Sequence, residues 1–504
     1  MGIQGRFFSC LKHMYSNSCA KIKLLNKLSE RIDILCGTEQ GHPLSPELFK
    51  CYIQAMSEEF NEGFDDSGAP ENVPSLNNVK VSHLLWADDL VLMAQDMKSL
   101  QKMINVLHKY CGIWGLTVNM DKTAVMVYNK SGRILKDSQN FFFGDSRIQS
   151  VREYCYLGIT FSLTGSLALT QQKLRQKGLR SYFSLKSMID VGSLRKTVLF
   201  KLFDSLILPV AGYGCQVWLP ETMLFKNITN TDTSPSLQAI SKDPLEKLHL
   251  SFLKWSMGVH KKTSNSPVWG DTGRYPLGIE LSKQLFSYFD RLQSLDMSNS
   301  DSLVRHAFCE QRSLNLRWYS GLTTAKTYLS NQSSNNFPSQ LRSSFREKFV
   351  EKWQEERQLN SKLSFYNTVK EEFNTECYLN IWLSREETRR LAQIRTSSHQ
   401  LRIETGRYGT RRMDITNRTC QYCSSQDEVF LLSKLPFFDP ILEDENHVLN
   451  ICPLYDHARR NIKHNTRTLI GDGNFQDIFK NPLHAKETAR FLSRCHKLRE
   501  SEHE

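Results

Sequence analysis

Apolar positions in the first 160 residues change their period several times. In DMKSLQKMINVLHKYCGIWGL (96–116), Leu100, Met103, Ile104, Leu107, Cys111 and Trp114 recur every three or four residues, the stripe of an amphipathic helix. Gly112 and Gly115 are expected to break it. TAVMVYN (123–129) alternates with a period of two and predicts a strand. Upstream, Leu48, Tyr52 and Met56 share one face of a predicted helix. Pro43 and Pro46, around Leu44-Ser45, force extended chain before it, and Ser45 suits its N-cap. HLLWADDLVLMAQ (83–95) sets Asp88 and Asp89 between two short apolar runs. From about 165 the period is mostly helical. Phe345, Phe349 and Trp353 recur at i+4 and read as core. NITNTDTSPSLQAIS (227–241) and NQSSNNFPSQ (331–340) are polar and turn-rich, hence predicted loops. The pattern is α+β: mixed strands and helices first, helices afterwards.

Composition adds a partner class. The chain has 504 residues, room for several domains, and 40% hydrophobic content, enough for buried cores. Lys and Arg number 65 against 53 Asp and Glu, a net charge of +12 that points to an anionic partner such as nucleic acid. Lys173, Arg175, Lys177, Arg180, Lys186, Arg195, Lys196 and Lys201 surround a single acid, Asp190. That segment is either a solvated helix face or a track for phosphates. No apolar run approaches the roughly 20 residues of a membrane span, and the first residues lack a signal-peptide core. Thirteen cysteines, scattered apart from one C-x-x-C, suit reduced thiols. The expected location is intracellular, in cytoplasm or nucleus, with no membrane contact.

Adjacent aspartates in an apolar setting repel each other and are costly to desolvate. Asp88 and Asp89 are therefore either a plain turn with both acids in water or ligands of a divalent cation. Near the C-terminus, Cys420, Cys423, His447 and Cys452 form C-x2-C…H-x4-C, enough for one tetrahedral Zn²⁺. The 23 residues from 424 to 446 make a long spacer with an apolar stretch, and His457 is a possible substitute ligand. Unrelated buried thiols are the other reading.

Several motifs occur in one order. GTEQGHPLSPELF (37–49) resembles motif B of reverse transcriptases of the LINE type, the non-LTR retrotransposons. Trp86-Ala87-Asp88-Asp89 resembles motif C, with Trp for the usual Phe or Tyr. GLTVNMDKT (115–123) resembles motif D, YCYLGITF (154–161) motif E, and LFKLFDSLILPVAGYGCQVW (199–218) a thumb-region helix. The C-terminal cysteines and histidine resemble the knuckle that ends many such proteins.

The resemblance implies a division of labour. Asp88 and Asp89 would hold Mg²⁺, Gln40 and Gly41 would lie against the nascent base pair, and Lys122 would protonate the leaving pyrophosphate. Tyr156, Leu157 and Gly158 would position the primer end. The expected parts are a partial palm (1–162), a helical thumb (163–225), a helical connection (226–400) and a zinc-knuckle region (401–504). The partners would be RNA template, DNA primer or their hybrid, and dNTP. A two-metal site also needs the motif A aspartate. Asp33, the one aspartate before Gly37, stands in the wrong place for it, and the fingers lack a counterpart. The expectation is therefore the C-terminal part of a reverse transcriptase, inactive alone, so whether this chain is itself an enzyme stays open. The alternatives are a non-enzymatic nucleic-acid binder and a decaying product without a selected role.

Overall fold

The computed structural model describes residues 4–16, 18–34, 37, 41–62, 72–135, 140–190, 192, 194–221, 236–298, 301–329, 338–408, 412–424 and 441–501. The chain divides into two compact units, residues 1–154 with 301–310, and residues 155–300 with 311–504.

In the first unit, α1 (Gly5–Ser16) precedes two strand pairs, β1 (Cys19–Ala20) with β4 (Ile32–Asp33) and β2 (Lys23–Leu24) with β3 (Lys27–Leu28). Helix α2 (Ser45–Glu62) begins with Ser45 itself, and a turn precedes it in place of the expected extended stretch, the Ser45 amide donating to the His42 carbonyl at 3.1 Å. The small hairpin β5 (Ser75–Leu76) and β6 (Val79–Lys80) leads into β7 (His83–Trp86) and β8 (Asp89–Leu92). Helix α3 (Met97–Trp114) follows, with Asp96 at its N-cap accepting from the Ser99 amide at 2.9 Å. That bond, with one from Asn72, holds the Asp96 carboxyl down at about 2. Gly112 does not break α3. Gly115, at φ +63°, alone ends it, because only a left-handed residue returns its amide to Cys111.

Met56 and Phe60 of α2 and Met103 and Tyr110 of α3 form the first core, and Leu85, Leu90 and Leu92 of the β7–β8 hairpin pack on it. The predicted strand at 123–129 shrinks to β9 (Ala124–Val125), which runs parallel to β11 (Ser146–Ser150). The antiparallel partner of β11 is β10 (Phe141–Phe143), and Phe141 and Ile148 cover Ile104 on the other side of α3. Residues 301–310 complete the unit, where the Glu310 carboxylate accepts from the Asn77 amide at 3.0 Å.

Hairpin β12 (Glu153–Tyr156) and β13 (Ile159–Ser162), whose first strand begins two residues before the second unit, leads into α4 (Ala168–Met188). The segment expected to be one thumb-region helix is broken into α5 (Lys196–Leu202), a π-turn (Phe203–Ile207), α6 (Leu208–Ala211) and α7 (Cys215–Trp218). Pro209 has no N–H for the preceding turn, and Gly214 sits at φ +62°. Lys196 is not on a phosphate track. It is buried, and desolvation pulls its ammonium down to about 8.

The helical remainder is built on α8 (Pro244–Met257), α9 (Asn265–Thr272), α10 (Leu277–Met297), α11 (Pro338–Gln358) and α12 (Arg385–Arg395). Leu237–Lys242 is helical and Pro338–Gln340 already belongs to α11, so both predicted loops were drawn too long; their remainders, 227–235 and 331–337, lie outside the described residues. Phe345, Phe349 and Trp353 are buried as core. Two buried carboxylates tie these helices together. Glu246 accepts from the Trp269 indole at 2.7 Å and from the Leu277 amide at 2.8 Å, capping α10. Asp271 takes two bonds from Arg395, each 2.9 Å, and one from the Tyr378 hydroxyl. Among the described residues no single helix is long and apolar enough to cross a membrane.

Candidate functional site

The β7–β8 hairpin places Asp88 and Asp89 at its tip. Its register sets Trp86 opposite Asp89, leaving Ala87 and Asp88 as the two-residue loop. Because side chains alternate, Leu85 and Leu90 turn inward while Leu84 and Trp86 turn to solvent, Trp86 at 65% exposure. Ala87 holds φ +53°, a conformation that strains a residue with a Cβ. Both carboxylates are exposed. The base of the hairpin is fixed by His83, whose ring nitrogens meet Ser57 at 2.8 Å and Ser82 at 2.9 Å. Among the described residues β7 and β8 form a two-stranded sheet, so their outer edges carry no further strand.

The other expected site residues of this unit are dispersed. Gly41 stands at φ +86° just before α2, and a Cβ there would meet open space, so the backbone conformation is what calls for glycine. Gln40 lies outside the described residues. Lys122 is exposed in the turn after residue 119, where its carbonyl accepts from the Tyr154 hydroxyl at 3.0 Å. Asp33 is engaged by Arg31 at 2.7 Å. No third carboxylate, histidine or cysteine among the described residues joins Asp88 and Asp89 in a cation-ready group.

Residues 5–161 match the family of reverse transcriptases (RNA-dependent DNA polymerases). A transposon-derived protein of Caenorhabditis elegans is 28% identical over 163 residues, 32% of this chain and 56% of that protein. A Pol polyprotein from the type-1 retrotransposable element R2 of Popillia japonica is 27% identical over 220 residues, 43% of this chain and 33% of its own length. The corresponding polyprotein from the type-2 element of Drosophila melanogaster is 31% identical over 140 residues, 26% of this chain and 12% of its own. Residues 5–161 are a reverse transcriptase domain of the non-LTR kind. The chain thus matches at most 56% of the length of these relatives.

At the end of the reverse transcriptase domain, Tyr156, Leu157 and Gly158 form the tip of the β12–β13 hairpin. Leu157 and Gly158 hold φ +47° and +82°, the paired positive angles of a type I′ turn. The Tyr213 hydroxyl donates to the Leu157 carbonyl at 3.1 Å, and a Cβ at Gly158 would lie 2.7 Å from the Tyr213 ring. Sequence reasoning missed Tyr213, although its place between two glycines in AGYGC was a signal for a packed turn.

The C-terminal residues do converge. Cys420, Cys423, His447 and Cys452 are all buried, with one ligand atom from each within 4.8 Å of the others. Cys423 Sγ lies 3.9 Å from Cys452 Sγ and 3.6 Å from His447 Nε2. A tetrahedral ion with Zn–S of about 2.3 Å and Zn–N of about 2.0 Å needs edges of about 3.8 and 3.5 Å. The donor set and its spacing therefore fit Zn²⁺. Hydrogen bonding from Cys452 and His447 pulls the Cys420 thiol down, the thiolate form a zinc ligand needs, while burial pushes Cys423 up. His457 is exposed on a neighbouring helix and is not part of the group.

Two backbone devices assemble this centre. The Cys420 amide donates to the Ile441 carbonyl at 3.1 Å and the Glu443 amide to the Arg418 carbonyl at 2.9 Å, so an antiparallel pairing closes the long spacer at its base. Residues 425–440 lie outside the described residues. His447–Ile451 then forms a π-turn, which carries His447 and Cys452 to the same side. Arg459 closes that turn, donating to the Leu449 carbonyl at 2.9 Å and the Cys452 carbonyl at 3.0 Å. Nothing in the sequence singled out Arg459.

Proposed function

We propose that the chain carries the palm hairpin, primer-positioning hairpin and thumb of an RNA-directed DNA polymerase of a non-LTR retrotransposon, and that by itself it does not extend primers. The observation that carries this is the exposed Asp88–Asp89 pair at a hairpin tip inside the reverse transcriptase domain, with no third ligand beside it among the described residues. Two carboxylates suffice to anchor one Mg²⁺ through waters and substrate phosphates, but not to bridge two metals. When bound, Mg²⁺ would supply Lewis-acid activation of a primer hydroxyl and neutralise triphosphate charge. This chain's own residues would do the rest. Asp88 is the main ligand and Asp89 the secondary one. Gln40 and Gly41 face the nascent pair, Lys122 donates a proton to the leaving group, and Tyr156, Leu157 and Gly158 hold the primer end. The parts are the palm (1–162), thumb (163–225), connection (226–400) and knuckle region (401–504). Partners are RNA template, DNA primer and dNTP.

The test is primer extension by the purified chain on an RNA template with Mg²⁺, beside Asp88→Asn. No extension is expected from either protein. Extension by the wild type, lost in Asp88→Asn, would refute the inactivity and retain the polymerase assignment.

A second reading is a non-enzymatic nucleic-acid binder. It is favoured by the buried Cys-Cys-His-Cys group, which brings four ligand atoms together, whereas Asp88 and Asp89 gain no third ligand among the described residues. Salt-dependent retention of primer–template, unaffected by Asp88→Asn, would support it.

A further inference from the structure

The helices after the zinc-ready group divide their side chains between two faces. They are α13 (Asp456–Arg460) and α14 (His464–Gly471). Ala458, Ile462, Thr466 and Ile470, four residues apart, are all buried. Thr466 is satisfied there by Glu487 and by His484 at 2.7 Å. The outward positions are Arg460, Lys463, His464 and Arg467, all exposed. Between Asp456 and Asp472 the chain has no acidic residue. Arg460 and Arg467 pair with no carboxylate among the described residues, and Lys463 keeps 80% of its side chain in water while reaching Glu487 at 3.4 Å. Arg459, by contrast, is turned inward to the ligand-bearing turn, with Asp456 as its counter-charge. Arg460 and Arg467 are thus left without a carboxylate among the described residues and Lys463 with a solvated one; α14 packs against that turn, and α13 reaches it through Arg459.

We infer that the outer face of α13 and α14, through Arg460, Lys463 and Arg467, binds a nucleic-acid phosphate backbone beside the zinc-ready group. Charge complementarity is the argument. Cations fixed on a rigid amphipathic pair, without acids among them, match a run of phosphates and release counterions on contact. The neighbouring Arg390, Arg499, His399 and His496 are a weaker candidate, since Glu386, Glu443, Glu445 and Glu500 already neutralise them. The inference rests on the nucleic-acid reading above and names a surface for it.

The test is binding of the full chain to a labelled single-stranded RNA, titrated with salt, for the wild type and for a triple variant, Arg460→Gln, Lys463→Gln and Arg467→Gln. The variant should lower the slope of log K against log salt by about 2, and affinity at 0.1 M salt by more than about tenfold. Zinc content and melting temperature should stay unchanged, and the charge-keeping pair Arg460→Lys and Arg467→Lys should bind as the wild type does. Single-stranded and duplex DNA arms identify which backbone is preferred. Wild-type binding with an unchanged slope in the triple variant would overturn this inference alone. A wild type that binds no nucleic acid would overturn the broader reading with it.

Discussion

The Cys452 amide donates to the His447 carbonyl at 2.8 Å, a bond spanning five residues in place of four. The extra residue widens the helical turn enough to bring an H-x4-C pair within reach of a single ion. Two of the four candidate ligands thus depend on this turn. The expected consequence is that Cys452→Ser or strong chelation removes one Zn²⁺ per chain and unfolds the region around it. Structural zinc contributes about 10 kcal/mol or more in small sites. Metal analysis with proteolysis of the C-terminal region checks this; full resistance after zinc removal would refute it.

Arg459 should act as a positioning residue for that centre. Arg459→Met leaves the Leu449 carbonyl without its side-chain donor and the Cys452 carbonyl with the Tyr455 amide alone. Zinc affinity is expected to fall about tenfold or more, as for other groups that orient metal ligands. Competition with a calibrated chelator measures it, and Arg459→Lys should recover part of the loss.

At the β12–β13 turn, Gly158→Ala meets both a left-handed backbone and the Tyr213 ring. The backbone alone costs about 1–2 kcal/mol. Tyr213→Phe should cost only about 1 kcal/mol, for the bond to Leu157. Pairing Gly158→Ala with Tyr213→Ala should be less harmful than the sum of the single changes, read by denaturant unfolding.

The Arg395–Asp271 pair is buried on both sides, at 0% exposure. Arg395→Met leaves Asp271 and Glu376 short of a cation, with Lys370 alone beside Glu376. The expected loss is about 3–5 kcal/mol, far above that of any surface pair in this chain. Equilibrium unfolding measures it; a change below about 1 kcal/mol would count against the network holding α9 to α12.

Burial holds the His83 imidazole below its usual value. The ring is therefore neutral in the folded first unit and takes up a proton more readily once that unit unfolds. Its contribution is complete above about pH 6.5 and is lost as pH falls from there towards the folded value. The melting temperature of the wild type should drop more than that of His83→Gln between about pH 7 and pH 5.5. Equal slopes would show that His83 is not responsible.

The sequence by itself determined the features that depend on local chemistry. The period of α3 and its Gly115 stop, the Met56 face of α2, the aspartates at a strand-to-strand bend and the separate C-x2-C and H-x4-C pairs each rest on side-chain spacing and turn chemistry within a short stretch. Tertiary structure decided what depends on distant partners. Strand 123–129 shrank because only Ala124 and Val125 find a neighbour in β11. Lys196 left the basic track because packing around α5 buries it. Tyr213 became the clamp of Leu157, and Arg459 the support of the ligand turn, through bonds to carbonyls whose positions only folding sets. Periodicity reports which side of an element faces inward; which atom waits there depends on another part of the chain.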